Sequence, residues 1–136
     1  MTDHKPVRIL LIEDDEISTF LFKRIVQFRW PSAQIDVCHS GESALRMLAD
    51  PRTVFPQIIV SDLNLSGMNG FEFIAEFQKS ALNFTHNIQL VIATSSLQPE
   101  DREKAKALNV LHYLIKPLTV ESLLPVMDLA RIASGQ

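Results

Sequence analysis

Cysteine is nearly missing from this chain. Cys38 stands alone among 136 residues, so no internal disulfide and no cysteine-based zinc site can form, and a reducing cytoplasm is the natural setting. Glycine is scarce too, with four residues. None of them sets out a G-x-x-x-x-G-K-[ST] or G-x-G-x-x-G loop, so nucleotide binding has no support. Basic runs are absent and the formal net charge is -3, which argues against direct nucleic-acid binding. The longest apolar runs fall far short of a bilayer span. The polar start Met1-Thr2-Asp3-His4-Lys5-Pro6 lacks the apolar centre of a signal peptide. These absences leave a soluble cytoplasmic chain that does not engage a membrane.

What the chain does have is apolar residues, 46% of the total, in short runs. This length is one domain's worth and buries roughly 68–70% of its unfolded surface. Ile58-Ile59-Val60-Ser61-Asp62 organises the rest. Its apolar residues follow one another instead of alternating, as in a strand buried on both faces of a parallel sheet. Val7 to Ile12, Leu90 to Ala93 and Val110 to Ile115 read the same way. Ile35 to Cys38 alternates and reads as a half-exposed edge strand.

Between the strands lie helical patterns. Ile17, Phe20, Leu21, Ile25 and Phe28 recur at helical spacing and predict a helix from about Asp15 to Phe28. Phe22 and Val26 fall on another face, either a binding surface or an enlargement of the buried stripe. Ser40-Gly41 opens a second helix with Ala44, Leu45 and Leu48 inward and Asp50-Pro51 at its end. A third carries Phe71, Ile74, Ala75 and Phe77 to about Ser80, and Ala81 to Asn87 reads as a connector. Pro99-Glu100-Asp101 has the proline and acids of a helix start. The last helix begins near Thr119, and Pro125 implies a later regular start near Ser122 or a kink. It runs through Val126, Leu129 and Ile132 to Ser134-Gly135. Five strands alternating with five helices predict an α/β fold, a doubly wound parallel sheet with helices on both faces. No linker remains, so residues 1–136 read as a single domain with its core at about 7–133 and no effector domain.

Glu13, Asp14, Asp62, Thr94 and Lys116 all fall at the carboxyl ends of expected strands, where open α/β sheets place their ligands. Two carboxylates ~4 Å apart repel by about 4 kcal/mol at an effective dielectric near 20. A hard cation relieves this, and oxygen-only ligands suit Mg²⁺ or Mn²⁺. Asp14 and Asp62 are the expected direct ligands, with Glu13 acting through water or weakly. A cation, a nucleophilic carboxylate, a hydroxyl and an ammonium make a set for phosphoryl transfer to an aspartate.

Leu11-Ile12-Glu13-Asp14-Asp15, Ser61-Asp62-Leu63-Asn64, Ala93-Thr94-Ser95 and Tyr113-Leu114-Ile115-Lys116-Pro117 together resemble the receiver domain of two-component response regulators, of the stand-alone type. The resemblance spans nearly the whole chain in order and spacing. It implies the flavodoxin-like strand order 2-1-3-4-5. It makes Asp62 the phosphoacceptor, phosphorylated by a histidine kinase or phosphotransfer protein, and Glu13 with Asp14 the acidic pair. Asn64 becomes a metal ligand through its backbone carbonyl, Thr94 and Tyr113 the switch pair, Lys116 the phosphate-binding lysine and Pro117 a candidate cis proline. Asn64 and Ser96 occupy the positions that tune phosphoryl lifetime. The face of the fourth helix, fifth strand and fifth helix is implied to meet a downstream protein, with the chain a monomer or a phosphorylation-dependent dimer.

Ser66 stands where the family usually has a proline, which is expected to loosen the loop without removing chemistry. Asn109 replaces a usual glycine and is expected to tolerate a left-handed turn. A pseudo-receiver that binds partners constitutively is the alternative, although it has no need of Asp62, Asp14, Thr94 and Lys116. A turnover enzyme is not expected. Aspartyl-phosphate phosphatases typically need a second acid two residues after the nucleophile, and Asn64 stands there.

Overall fold

A computed structural model describes residues 6–80 and 87–133. The expected connector, Asn87 apart, and the expected stop at Ser134-Gly135 lie outside the described residues. The elements run β1 Arg8–Ile12, α1 Glu16–Arg29, β2 Gln34–Cys38, α2 Gly41–Ala49, β3 Ile58–Ser61, α3 Gly70–Lys79, β4 Gln89–Thr94, α4 Pro99–Ala107, β5 His112–Ile115 and α5 Val120–Ala133. The five strands form one parallel sheet in the order β2-β1-β3-β4-β5, as the resemblance implies.

Alternation along the buried strands divides the core in two. Leu10, Ile12, Ile59, Leu90 and Ile92 face one side, where they meet Ala44 and Leu48 of α2, Phe73, Ile74 and Phe77 of α3, and Ala105 of α4. Ile9, Leu11, Ile58, Val60, Val91 and Ala93 face the other, against Phe22 and Val26 of α1 and Leu123, Val126, Met127 and Ala130 of α5. β2 lies at an edge and is mostly half-buried, matching its alternating sequence.

Side-chain caps set several helix starts. Asp15 accepts from the Ser18 N–H at 2.7 Å and caps α1. Ser40 caps α2. Asn69 and Glu72 form a reciprocal capping box on α3, both bonds at 2.9 Å. Asn109, at φ 60, ends the α4 turn in the left-handed region.

Several expectations need correction. On α1, Ile17 is 70% and Phe28 84% exposed, Phe20 and Leu21 are more than half exposed, and Phe22 and Val26 are the buried pair. The stripe facing the sheet is Phe22, Val26 and the capping residue Trp30, spaced at i, i+4 and i+8. In α5 the inward stripe is Leu123, Val126, Met127 and Ala130, and Leu129 is exposed. The side chain of Ile132 lies outside the described residues. α5 starts at Val120, not Ser122, and runs past Pro125. Pro125 is exposed and cannot supply the N–H that the Glu121 carbonyl takes in an uninterrupted helix. β5 starts at His112, because Val110 packs on the core next to the turn instead of pairing. Phe73, missing from the expected stripe of α3, is fully buried.

Candidate functional site

The pairing register sets the site. Ile12 lies beside Ser61 and Ser61 beside Ile92, so the next residues, Glu13 and Asp62, emerge side by side at the carboxyl edge. Asp62 N–H still donates to the Ile12 carbonyl at 3.2 Å, and Lys116 N–H to the Thr94 carbonyl at 2.8 Å. The ladder thus reaches into the site and fixes its backbone. Gly70 supports it from below: a Cβ there would collide with the Asp62 carbonyl oxygen. The first turn of α3 therefore lies directly against the loop leaving β3.

The Lys116 ammonium bridges two carboxylates, donating to Glu13 Oε1 at 2.7 Å and Asp62 Oδ2 at 3.0 Å. Burial pushes the Glu13 carboxyl above its usual range despite the opposing pull of Lys116. Burial alone would lower the lysine pKa, but the bonds to Glu13 and Asp62 outweigh it and hold the ammonium above its ordinary value. Lys116 is therefore charged at neutral pH. The peptide bond that follows it, to Pro117, is cis.

The second oxygen of Asp62, Oδ1, accepts from the Asn64 N–H at 3.2 Å. Asp14 is exposed, and its Oδ2 accepts from both the N–H and the hydroxyl of Ser66, at 3.2 and 3.3 Å. No described residue hydrogen-bonds Asp14 Oδ1. Ser66, expected only to loosen the loop, thus donates twice to Asp14, and a proline there would have neither donor. The sequence holds only a weak signal for this, a serine in a turn after the strand, because the contact joins residues 52 positions apart.

Thr94 is fully buried, and its hydroxyl accepts from the Ser96 N–H at 3.2 Å, not from a group of the acidic cluster. Ser96 links further groups. Its carbonyl accepts from the Tyr113 hydroxyl at 3.4 Å. Its own hydroxyl donates to Asp101 Oδ2 at 2.5 Å and accepts from the Gln98 N–H at 3.2 Å. The Arg102 guanidinium of α4 lies 4.7 Å from the Tyr113 ring centre. The nine sequence candidates thus fall into two connected groups. Glu13, Asp14, Asp62, Asn64, Lys116 and Pro117 surround the acidic centre, while Thr94, Ser96 and Tyr113 run from the end of β4 to α4 and β5.

A cleft of about 460 Å³ opens onto the acidic centre. Asp62, Glu13 and Lys116 form its polar end, and Leu21, Phe22 and Ile25 of α1 wall it opposite Pro117 and Leu118. Among the described residues no group of three or more His, Cys, Asp or Glu is arranged to hold a metal ion unaided. The donor set does fit a cation that keeps most of its water. Mg²⁺ takes one or two carboxylates and fills its shell with water and phosphate oxygens. Asp14, with a free oxygen, and Asp62 meet that need.

The sequence model of the response regulator receiver domain matches residues 9–128. A two-component response regulator from Legionella pneumophila has the same fold at TM-score 0.82 and 29% identity, covering 93% of this chain and 98% of that one. The Mn(2+)-bound form of response regulator Rcp1 superposes at TM-score 0.74 with 25% identity, covering 96% and 91%. The nitrate/nitrite response regulator NarL of Escherichia coli (strain K12) is 26% identical over all of this chain, which spans 59% of NarL's length. A doubly wound sheet with carboxylates and a lysine at its carboxyl edge is the architecture this chain shares with those receiver domains. The chain belongs to the response regulator receiver domain family.

Proposed function

We propose that this chain is the phosphoacceptor of a two-component phosphorelay, with Asp62 taking a phosphoryl group from a histidine kinase or phosphotransfer protein. The observation that carries the reading is the Lys116 ammonium held 3.0 Å from Asp62 Oδ2 and anchored on its other side by buried Glu13. An Asp62 oxygen bonds to phosphorus as the phosphorus–nitrogen bond of the donor phosphohistidine breaks, and the imidazole leaves and takes a proton from water. Lys116 neutralises charge on the equatorial oxygens without having to move into place. The donor reaches Asp62 through the cleft beside α1.

Mg²⁺ or Mn²⁺ fits at Asp14, Asp62 and the Asn64 carbonyl, with Glu13 acting through water, and the Mn(2+)-bound form of the related Rcp1 supports this. When bound, the cation supplies positive charge to the phosphoryl oxygens and relieves repulsion between the carboxylates.

The switch follows the chain of bonds at Ser96. A Thr94 hydroxyl drawn toward the new phosphoryl group gives up the Ser96 N–H. Ser96 also holds the Tyr113 hydroxyl and Asp101, so the change passes to α4, β5 and α5, the face read by a downstream protein. The small polar side chains at Asn64 and Ser96 set how readily water reaches the acyl phosphate. The chain acts in the cytoplasm, as a monomer or a phosphorylation-dependent dimer, and is not a turnover enzyme. Among the described residues no helix is long and apolar enough to cross a membrane.

Intact-mass spectrometry after incubation with acetyl phosphate and Mg²⁺ tests the reading. The expected result is one phosphoryl adduct in the wild type and none in a folded Asp62→Asn variant. A folded wild type that takes no adduct would instead be a constitutive binding module.

A further inference from the structure

We infer that Ser66 is a positioning residue for the divalent cation, aiming the Asp14 carboxylate by holding one of its oxygens and leaving the other for the ion. The inference rests on the metal reading above. Its basis is that the Ser66 N–H and hydroxyl converge on a single oxygen, Asp14 Oδ2, at 3.2 and 3.3 Å. Two donors on one oxygen restrain both torsions of the aspartate side chain. Asp14 is exposed, and no other described residue hydrogen-bonds its carboxylate. Without Ser66 the carboxylate is free to rotate into solvent, and the ion has to order it on binding.

The loop that carries Ser66 is itself held, so the restraint is real. Leu63 and Leu65 on either side of Asn64 are buried. Gly67 takes a left-handed φ of 74. The next N–H, that of Met68, donates to Glu42 Oε2 of α2 at 3.3 Å. Beyond it Asn69 closes the capping box on α3. Ser66 is thus anchored on its carboxyl side by α2 and α3, and on its amino side by two core leucines and by the Asn64 N–H on Asp62. One short loop supplies the Asn64 carbonyl to the ion's shell and sets the direction of Asp14, joining the two halves of the site that come from β1 and β3. Outer groups that orient metal-binding side chains typically contribute tenfold or more in affinity. Here both bonds are long and exposed, so the expected effect sits at the lower end of that range.

Isothermal titration of Mg²⁺ into the unphosphorylated protein tests this, with the metal-free melting temperature measured beside it. Ser66→Ala keeps the N–H and removes the hydroxyl, and is expected to weaken Mg²⁺ binding about threefold. Ser66→Pro removes both donors and is expected to weaken it about tenfold. Ser66→Thr keeps both and should bind as the wild type does. The metal-free melting temperature should be unchanged in Ser66→Ala and Ser66→Thr, which a merely structural role for the hydroxyl would not predict. Unaltered or tighter Mg²⁺ binding in folded Ser66→Ala and Ser66→Pro would overturn the inference, tighter binding identifying Ser66 as a competitor of the ion. A wild type that binds no Mg²⁺ would instead overturn the metal reading itself, and the role of Ser66 with it.

Discussion

Lys116 shows how one side chain can be both structural and chemical. It is 78% removed from solvent and shares its ammonium between Glu13, which is almost wholly buried, and Asp62. Deleting the lysine leaves two carboxylates facing each other with no cation. Removing one partner of a buried ion pair costs about 3–5 kcal/mol, and with Lys116 partly exposed Lys116→Met is expected to lose about 3 kcal/mol of stability in urea at pH 7.5. The loss depends on pH in a direction that follows from Glu13. Its carboxyl is already raised above the usual 4.5 by burial, and losing Lys116 raises it further. A group whose folded pKa is raised favours folding fully below its unfolded value and loses that contribution as pH rises through the folded value. The deficit of Lys116→Met should therefore be smaller at pH 5 than at pH 7.5. Equal deficits at the two pH values in urea titrations would mean that Glu13 does not carry the cost. Asp62, Glu13 and Lys116 were legible in the sequence because each stands at the end of a largely apolar strand, and a parallel sheet collects such positions on one edge. Ser66 was not, because its partner depends on how a loop turns.

Helix α1 was the least legible element. Its fourteen residues include seven apolar side chains spread around the axis, so spacing alone admits two stripes. Counting picks the more populous one, Ile17 to Phe28. The structure buries the other, Phe22 and Val26, against the sheet face of Ile9, Leu11, Ile58 and Val60. Which stripe meets the sheet is a tertiary fact that periodicity does not contain. The same drift misplaced Leu129 in α5 while leaving Val126 correct. Opposite outcomes follow for two phenylalanines six residues apart. Phe22→Ala should cost about 3–5 kcal/mol, the ordinary loss for a buried aromatic ring. Phe28→Ser, at 84% exposed, should stay within about 0.5 kcal/mol of the wild type. Chemical denaturation of both variants decides it, and a large loss at Phe28 would mean that the exposed stripe is covered in solution. The stripe also forms the α1 wall of the cleft through Leu21 and Ile25, and of its members Ile25 is the one that also packs against the core.

At the scale of the whole molecule, fold and site are one design with a built-in conflict. The sheet could be read early because β1, β3 and β4 are apolar on both faces, and two-sided burial requires helices on both sides. The strand order needed the family resemblance, since no local pattern says which strands are neighbours. That order brings β1 and β3 together and so gathers Glu13, Asp14 and Asp62 on one edge, where a single lysine cannot balance three carboxylates. Folding the chain therefore concentrates negative charge that the unfolded chain keeps dispersed. A cation that binds this edge binds the native state alone and stabilises it by RT ln(1 + [L]/Kd), about 1.4 kcal/mol at ten times Kd. For a chain of this size that raises the melting temperature by roughly 5 °C. Thermal unfolding with and without saturating Mg²⁺ should show the rise in the wild type and lose it in Asp14→Asn, which removes a charge that the cation would neutralise. NaCl at matched ionic strength should not reproduce it, because screening acts weakly on charges this close together. A wild-type curve indifferent to Mg²⁺ would mean that Lys116 alone resolves the conflict and that the edge is not a cation site.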